Sequence, residues 1–130
     1  MQQTLLMEKY PVYAMTLPKA ETTAASVDQI LARLKARIDA HPKVAYIATF
    51  DHYAHTKAIG GSIAEGIHDA KNIVFCFGVA LPNAHVLAVR PRAIGVADTG
   101  DAFHLTFLEP PMEVATREME AWCKDLADRA

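Results

Sequence analysis

The sequence predicts an α+β fold, in which helices pack on a mixed β-sheet as a two-layer sandwich. Apolar runs with a period of two predict strands, stretches with apolar residues three or four apart predict helices, and the two kinds alternate along the chain. With 130 residues, 52% of them hydrophobic, the chain can bury a core without disulfides or metals. No repeat or change in composition divides it, so we expect one domain over residues 1–130 in the order β-α-β-α-β-α-β-β-α.

Local signals predict the first strand and the first helix. Residues 10–16 alternate weakly between apolar and polar, and Pro11 limits that strand to a sheet edge or to a strand start. Ser26 and Gln29 form a capping box, which predicts a helix that begins there and ends near Ala40. The apolar stripe of this helix consists of Val27, Ile30, Leu31, Leu34 and Ile38.

Two apolar runs predict strands inside the sheet. Residues 44–50 carry apolar side chains on both faces, which is typical of a buried central strand. Asp51 follows at a position where it can cap a short helix that continues through 55–59. Residues 73–77 form a continuous apolar run between an asparagine and a glycine, and this pattern also predicts a central strand.

The last third of the chain predicts a helix, a hairpin and a final helix. Residues 83–89 have a helical pattern that Pro91 terminates. The runs 93–97 and 102–108 flank a polar turn that contains a glycine, so they predict a β-hairpin. Pro111 opens the last helix, which has one apolar stripe.

Charge and hydropathy exclude several classes of function. The 13 Lys and Arg stand against 15 Asp and Glu, with a formal net charge of −2 and no basic run, so we expect neither nucleic acid nor a membrane as partner. No apolar run reaches the ~18 residues of a membrane span, and residues 1–10 lack the pattern of a signal peptide. Cys76 and Cys123 form neither a disulfide framework nor a zinc motif. We therefore expect a cytoplasmic protein.

Three short segments resemble a known family. They are the strand end at 50–52, the stretch 73–78 followed by Pro82, and the hairpin end at 108–110. In these segments, and in its order of elements over 24–110, the chain resembles the bacterial and archaeal domain-of-unknown-function family numbered 302. The resemblance implies an α+β sandwich that tends to dimerise. It implies no particular chemistry, because that family has no settled activity.

The densest polar cluster directly follows the strand predicted at 44–50, beside the two most apolar strands. We therefore predict a small ligand bound in an apolar pocket near Asp51–His55, at the ends of the strands 44–50 and 73–77. The expected ligand-binding residues are Asp51, His52, His55, Lys57, Cys76 and His85.

The same cluster leaves other hypotheses open. His52 and His55 are three residues apart, so on a helix they would share a face and could hold a metal together with Asp51 or a more distant His or Cys. No second motif has ligand spacing, so we assign no metal site, and a capped helix start with solvated histidines is the alternative. His52 could also act as a general base that Asp51 orients, while Lys57 holds an anionic substrate. A third hypothesis is a structural or interaction subunit without a pocket, and no cofactor is identified.

Two places outside the cluster carry residues that suit an anion. Arg90 and Arg92 flank Pro91, and an arginine fork matches a carboxylate or a phosphate. The alternative is that both charges lie on a solvated surface near a helix end. The glycines at 60–61 before Ser62 would either place free N–H groups at a helix start or end one helix before the cap of another.

The apolar content predicts self-association. Two strands that are apolar on both faces and three helices with apolar stripes leave more surface to cover than a small domain supplies. An isologous contact between two copies would bury the remainder. We therefore expect a homodimer, in line with the resemblance.

Overall fold

A single sheet of six strands forms the centre of the computed structural model, which describes residues 1–129. The strands are β1 (Gln2–Leu6), β2 (Tyr10–Pro18), β3 (Ala45–Asp51), β4 (Asp69–Cys76), β5 (Arg92–Asp98) and β6 (Ala102–Leu108). The helices are α1 (Val27–Ala40), α2 (His52–Ala58) and α3 (Glu113–Lys124), with short 3-10 helices at Lys19–Glu21 and Ala84–Val89. The strands lie side by side in the order β1-β2-β6-β5-β4-β3. The predicted α+β class and order of elements are confirmed, with β1 as an additional strand.

Every pair of neighbouring strands is antiparallel, so the expectation of a mixed sheet is wrong. A helix between two strands often returns the chain beside the first strand and makes a parallel pair. Here α1 leads from β2, near one edge of the sheet, to β3 at the opposite edge. The two strands that α1 connects are therefore not neighbours, and they make no parallel pair.

Helices α1 and α3 cover one face of the sheet and form the core with it. Ser26 accepts a hydrogen bond from the Gln29 N–H at 3.1 Å, which confirms the predicted N-cap of α1. The Gln29 side chain accepts its bond from the Ala25 N–H at 2.8 Å and not from Ser26, so the reciprocal half of the predicted capping box is shifted by one residue. Phe75 of β4 packs edge-on against Trp122 of α3, with ring centroids 5.7 Å apart. The buried helical residues include the whole predicted stripe of α1 and, on α3, Ala115, Met119, Trp122 and Cys123.

The strand predicted at 44–50 is an edge strand, so its expected central position is wrong. It spans Ala45–Asp51 and pairs with β4 alone. Ile47 is 52% exposed and Phe50 is 45% exposed, so the strand is not buried on both faces. Apolar residues on both faces are typical of a central strand, and an edge strand with the same pattern cannot be told from one by sequence alone.

Other boundaries differ in detail. The hairpin of β5 and β6 is confirmed, and Gly100 in its turn has a φ of +104°. The helix predicted over 83–89 is the 3-10 helix Ala84–Val89, which buries none of its residues. Residues 61–68 contain no helix, so the expected helix start and capping box at Ser62 are wrong. No helix within residues 1–129 is long and apolar enough to cross a membrane.

The face of the sheet opposite α1 and α3 carries small and apolar side chains that are not buried, and we call it the open face. The pairing register places residues of five strands in one row across it, from Ala14 on β2 to Phe50 on β3. All of its members are half-buried or exposed. On strands β2 to β6 the open face consists of Val12, Ala14, Thr16, Ala45, Ala48, Phe50, Ala70, Asn72, Val74, Cys76, Ala93, Gly95, Ala97, His104, Thr106 and Leu108.

Candidate functional site

Two histidines of the predicted polar cluster pack on the side chain of Phe50 near the end of β3. The rings of His52 and His55 lie 4.8 and 5.5 Å from the Phe50 ring, measured between centroids. Both histidines are exposed on α2. The cluster is therefore a surface feature in which two imidazoles pack on an exposed aromatic ring.

The Asp51 carboxylate is engaged in local structure. One oxygen accepts a hydrogen bond from the Ala54 N–H at 2.8 Å, which confirms the predicted cap of the short helix. The other oxygen lies 3.7 Å from the Lys71 ammonium. Within residues 1–129, no hydrogen bond joins Asp51 to His52 or His55, so the predicted acid/base pair makes no direct contact in this structure.

Lys57 shares the short helix α2 with the histidine pair, whereas Cys76 and His85 lie on other elements. Lys57 is exposed on α2, and His85 is exposed on the 3-10 helix Ala84–Val89. Cys76 ends β4 and pairs with Ala45, at the opposite end of β3 from Asp51. Because β3 and β4 are antiparallel, their carboxyl ends lie at opposite ends of the strand pair. A small pocket cannot adjoin both ends, so the six predicted residues are not brought together.

The metal-assisted hypothesis lacks a set of ligands in the part of the chain that the structure describes. A bound zinc usually needs three or four side-chain ligands. Nowhere within residues 1–129 do three His, Cys, Asp or Glu side chains come close enough to hold an ion. The Cys123 thiol is also unsuited, because burial raises its pKa to about 12 and keeps it protonated.

A cavity with an apolar lining lies beyond the carboxyl end of β4, and we call it the terminal cavity. Its volume is about 260 Å³. The loop after β4, the 3-10 helix Ala84–Val89 and the start of α3 line it. None of the six residues predicted to bind a ligand lines it. Its apolar lining includes Phe77, Val86, Val89, Pro110, Met112 and Ala115.

Arg92 lines the terminal cavity and is only 8% exposed. Its two terminal nitrogens donate hydrogen bonds to the carbonyl oxygens of Val89 at 3.0 Å and of Leu108 at 2.6 Å. Its Nε–H has no partner, and no carboxylate within residues 1–129 forms an ion pair with the guanidinium. Because burial removes the charge from water without supplying an opposite charge, it lowers the pKa of Arg92.

Further positive charge borders the same cavity. Arg90 lines it with its guanidinium against Gly78, where a Cβ atom would overlap the guanidinium. The amino end of α3 contributes Met112 and Ala115 to the lining. Met112 is the N-cap residue, and its side chain accepts no hydrogen bond from the first turn. The N–H groups at the start of α3, which carry the positive end of the helix dipole, therefore have no side-chain cap.

The sequence shows that two arginines flank Pro91, but it does not show the cavity that they line. The expectation of a solvated surface is wrong for Arg92, which is buried. One signal places it correctly, since Arg92 alternates with Ile94 and Val96 and must point to the same face of β5 as these buried residues. The cavity lining comes from separate segments at 77–82, 86–92 and 110–115, and no spacing along the chain relates them.

Comparison with known proteins corrects the resemblance drawn from the sequence. A family model described as "Family of unknown function (DUF6858)" matches residues 1–128. No curated protein and no solved structure matches the chain. The family numbered 302 is therefore not the one found, although both are families of unknown function. The match covers nearly the whole chain, and the chain belongs to the family of unknown function DUF6858.

Proposed function

We propose that this protein is a small-ligand-binding domain and that its ligand occupies the terminal cavity. The observation that supports the proposal is the cavity of about 260 Å³ with its apolar lining. Ligand sites in proteins are typically concave and apolar, with a few polar groups that fix orientation. At ~30 Å³ for each water-sized group, the volume suits a ligand of about nine non-hydrogen atoms.

The proposed function is the one predicted from the sequence, but the proposed site is the terminal cavity and not the cluster at Asp51–His55. The cluster at Asp51–His55 consists of exposed or locally bonded side chains, whereas three segments line the terminal cavity with apolar side chains. An apolar wall removes the part of the ligand that contacts it from water, and this removal supplies most of the binding free energy of an apolar molecule. The role of the Asp51–His55 cluster in binding stays a prediction.

Filling the cavity tests the proposal. Val86→Trp places a large ring on a half-buried lining residue, and Leu87→Trp is the matched control, since Leu87 is 62% exposed on the same 3-10 helix. The probes are carboxylates, amides and alcohols of about five to ten non-hydrogen atoms. At least one should raise the melting temperature of the wild type and of Leu87→Trp, but not of Val86→Trp. At a hundred times its Kd it would add about 2.7 kcal/mol. If no probe shifts the wild-type melt, the proposal is wrong.

We also propose that the open face is the contact between two copies of this chain. It carries no Asp, Glu, Lys or Arg side chain, so an isologous contact brings no like charges of these residues together. Strands about 4.8 Å apart and about 23 Å long give this face an area of roughly 550 Å², so two copies would bury about 1,100 Å², which is enough for a specific interface. Its small residues allow two sheets to approach to about 10 Å.

Light scattering on the full chain tests the dimer. The wild type should have twice the 14.2 kDa mass of one chain. Leu108→Glu puts a charge on the open face at a position that is 47% exposed, so the single chain tolerates it and the dimer should dissociate. Val114→Glu, at a 55% exposed position of α3, is the control and should leave the mass unchanged. A wild-type mass of one chain would overturn the dimer.

A further inference from the structure

We infer that the ligand of the terminal cavity is a small carboxylate with an apolar body, whose carboxylate binds at Arg92 and Arg90. The inference rests on the proposed function and names the class of ligand. The first step is the state of Arg92, which is 8% exposed, has an Nε–H without a partner and has no carboxylate paired with it within residues 1–129. Buried charges in proteins are paired as a rule, because an unpaired charge is costly to remove from water.

The two carbonyl groups that Arg92 contacts do not neutralise it. Val89 and Leu108 accept hydrogen bonds from its terminal nitrogens and fix the orientation of the guanidinium. These acceptors are neutral, so the positive charge remains. Three of the five N–H donors of an arginine are left after these two bonds. The Nε–H is closed off from solvent, so a ligand carboxylate would reach the guanidinium through the remaining N–H groups of its terminal nitrogens and would supply the opposite charge.

The other polar groups at the cavity also carry positive charge or a positive partial charge. The Arg90 guanidinium lies at the wall against Gly78, and the uncapped amino end of α3 borders the cavity at Met112. Glu113, in the first turn of α3, is exposed and does not line the cavity. No Asp or Glu is among the lining residues. Two arginines from the segment 86–92 and the amino end of α3 therefore border one cavity, and together they make an anion site.

The apolar part of the lining indicates that the rest of the ligand, apart from its carboxylate, is apolar. A single carboxylate occupies the fork of an arginine, and the remaining volume of the cavity is bordered by Phe77, Val86 and Ala115. A strongly hydrated polyanion would have to lose its water against these side chains without compensation. A short aliphatic or aromatic carboxylate places its charge at the arginines and its carbon atoms against the apolar wall.

Matched pairs of probes separate this inference from the proposed function. Benzoate and benzamide have the same number of non-hydrogen atoms and differ in charge, and so do hexanoate and hexanamide. By titration calorimetry on the full chain, at least one carboxylate should bind about tenfold or more tightly than its amide. Equal affinities of carboxylate and amide would overturn the inference and leave the proposed function intact. Binding of no probe at all would overturn both.

Variants localise the charge recognition. Arg90→Gln removes one guanidinium at a half-buried position, and Gly78→Ala displaces the same guanidinium without changing the charge. Both should reduce the carboxylate preference by about threefold or more, and Arg92→Met should abolish it if that variant folds. Arg117→Gln, at an exposed position of α3, is the control and should keep the full preference. An unchanged preference in Arg90→Gln and Gly78→Ala, or binding of inorganic phosphate without binding of either carboxylate, would overturn the inference.

Discussion

At the scale of single residues, the turn between β1 and β2 holds two non-glycine residues in the left-handed region, Met7 at a φ of 54° and Glu8 at 61°. This conformation costs an L-residue roughly 1–2 kcal/mol, whereas glycine adopts it freely. We expect Glu8→Gly to raise the free energy of unfolding by about 0.5–1 kcal/mol, measured by chemical denaturation. Glu8→Ala keeps the Cβ atom and should give no gain. A gain of equal size in both variants would show that the side-chain charge, and not the backbone, is responsible.

Because the pKa of the Asp98 carboxyl is lowered in the folded state, we expect the stability of the fold to depend on pH. Partial burial acts to raise its pKa, but the Gly100 N–H at 2.9 Å and the Lys19 ammonium at 3.0 Å outweigh burial and lower the pKa from 3.8. The charged form therefore stabilises the fold above pH 3.8, and this contribution is lost as the pH falls through the lower folded pKa.

Asp98→Asn should therefore lower the free energy of unfolding by about 1 kcal/mol at neutral pH. The difference between variant and wild type should shrink as the pH falls below 3.8 and should vanish once the carboxyl is protonated in both states. Urea titrations at a series of pH values measure both quantities. Asp101→Asn, in the same turn at an exposed position, should show no comparable loss. A difference that persists at low pH would mean that the carboxylate charge is not its cause.

At the scale of elements, α1 holds the sheet through a stripe of buried aliphatic side chains. Leu34 lies in the middle of this stripe and is fully buried. Leu34→Ala should cost about 2–5 kcal/mol, because it removes buried carbon atoms and leaves a cavity. Asp39→Ala on the exposed side of the same helix removes only an i,i+4 pair with Lys35 and should cost no more than about 0.5 kcal/mol. Thermal unfolding followed by circular dichroism measures the loss of stability in each variant. Similar losses in Leu34→Ala and Asp39→Ala would contradict the packing of α1 on the sheet.

The elements that the sequence predicts well are those with a complete local signal. The N-cap at Ser26, the stripe of α1 and the hairpin turn at Gly100 all depend on residues close together in the chain. β1 has no such signal, because its turn uses Met7 and Glu8 where glycine or asparagine is usual. The alternation within β3 also says nothing about whether a strand lies inside a sheet or at its edge.

At the scale of the whole molecule, the candidate site could not be predicted because it depends on topology. The sequence predicts one site at the ends of the strands before Asp51 and after Cys76, but the antiparallel pairing places these two ends at opposite ends of the strand pair. The terminal cavity forms only when the loop after β4, the segment before Pro91 and the start of α3 meet in space. The residue types were visible in the sequence, but their convergence follows from the arrangement of the strands.

At the scale of the whole molecule, the proposed dimer also predicts how the melting temperature depends on protein concentration, because a dimer couples folding to association. If two copies bury this face, unfolding releases two chains and the melting temperature must depend on protein concentration. A tenfold rise in concentration adds about 1.4 kcal/mol, which should raise the melting temperature of a dimer of this size by about 3 °C. Leu108→Glu should melt independently of concentration, and Val114→Glu should behave like the wild type, since only Leu108 belongs to the open face. A wild-type melting temperature that stays constant over a hundredfold range of concentration would rule out association through this face.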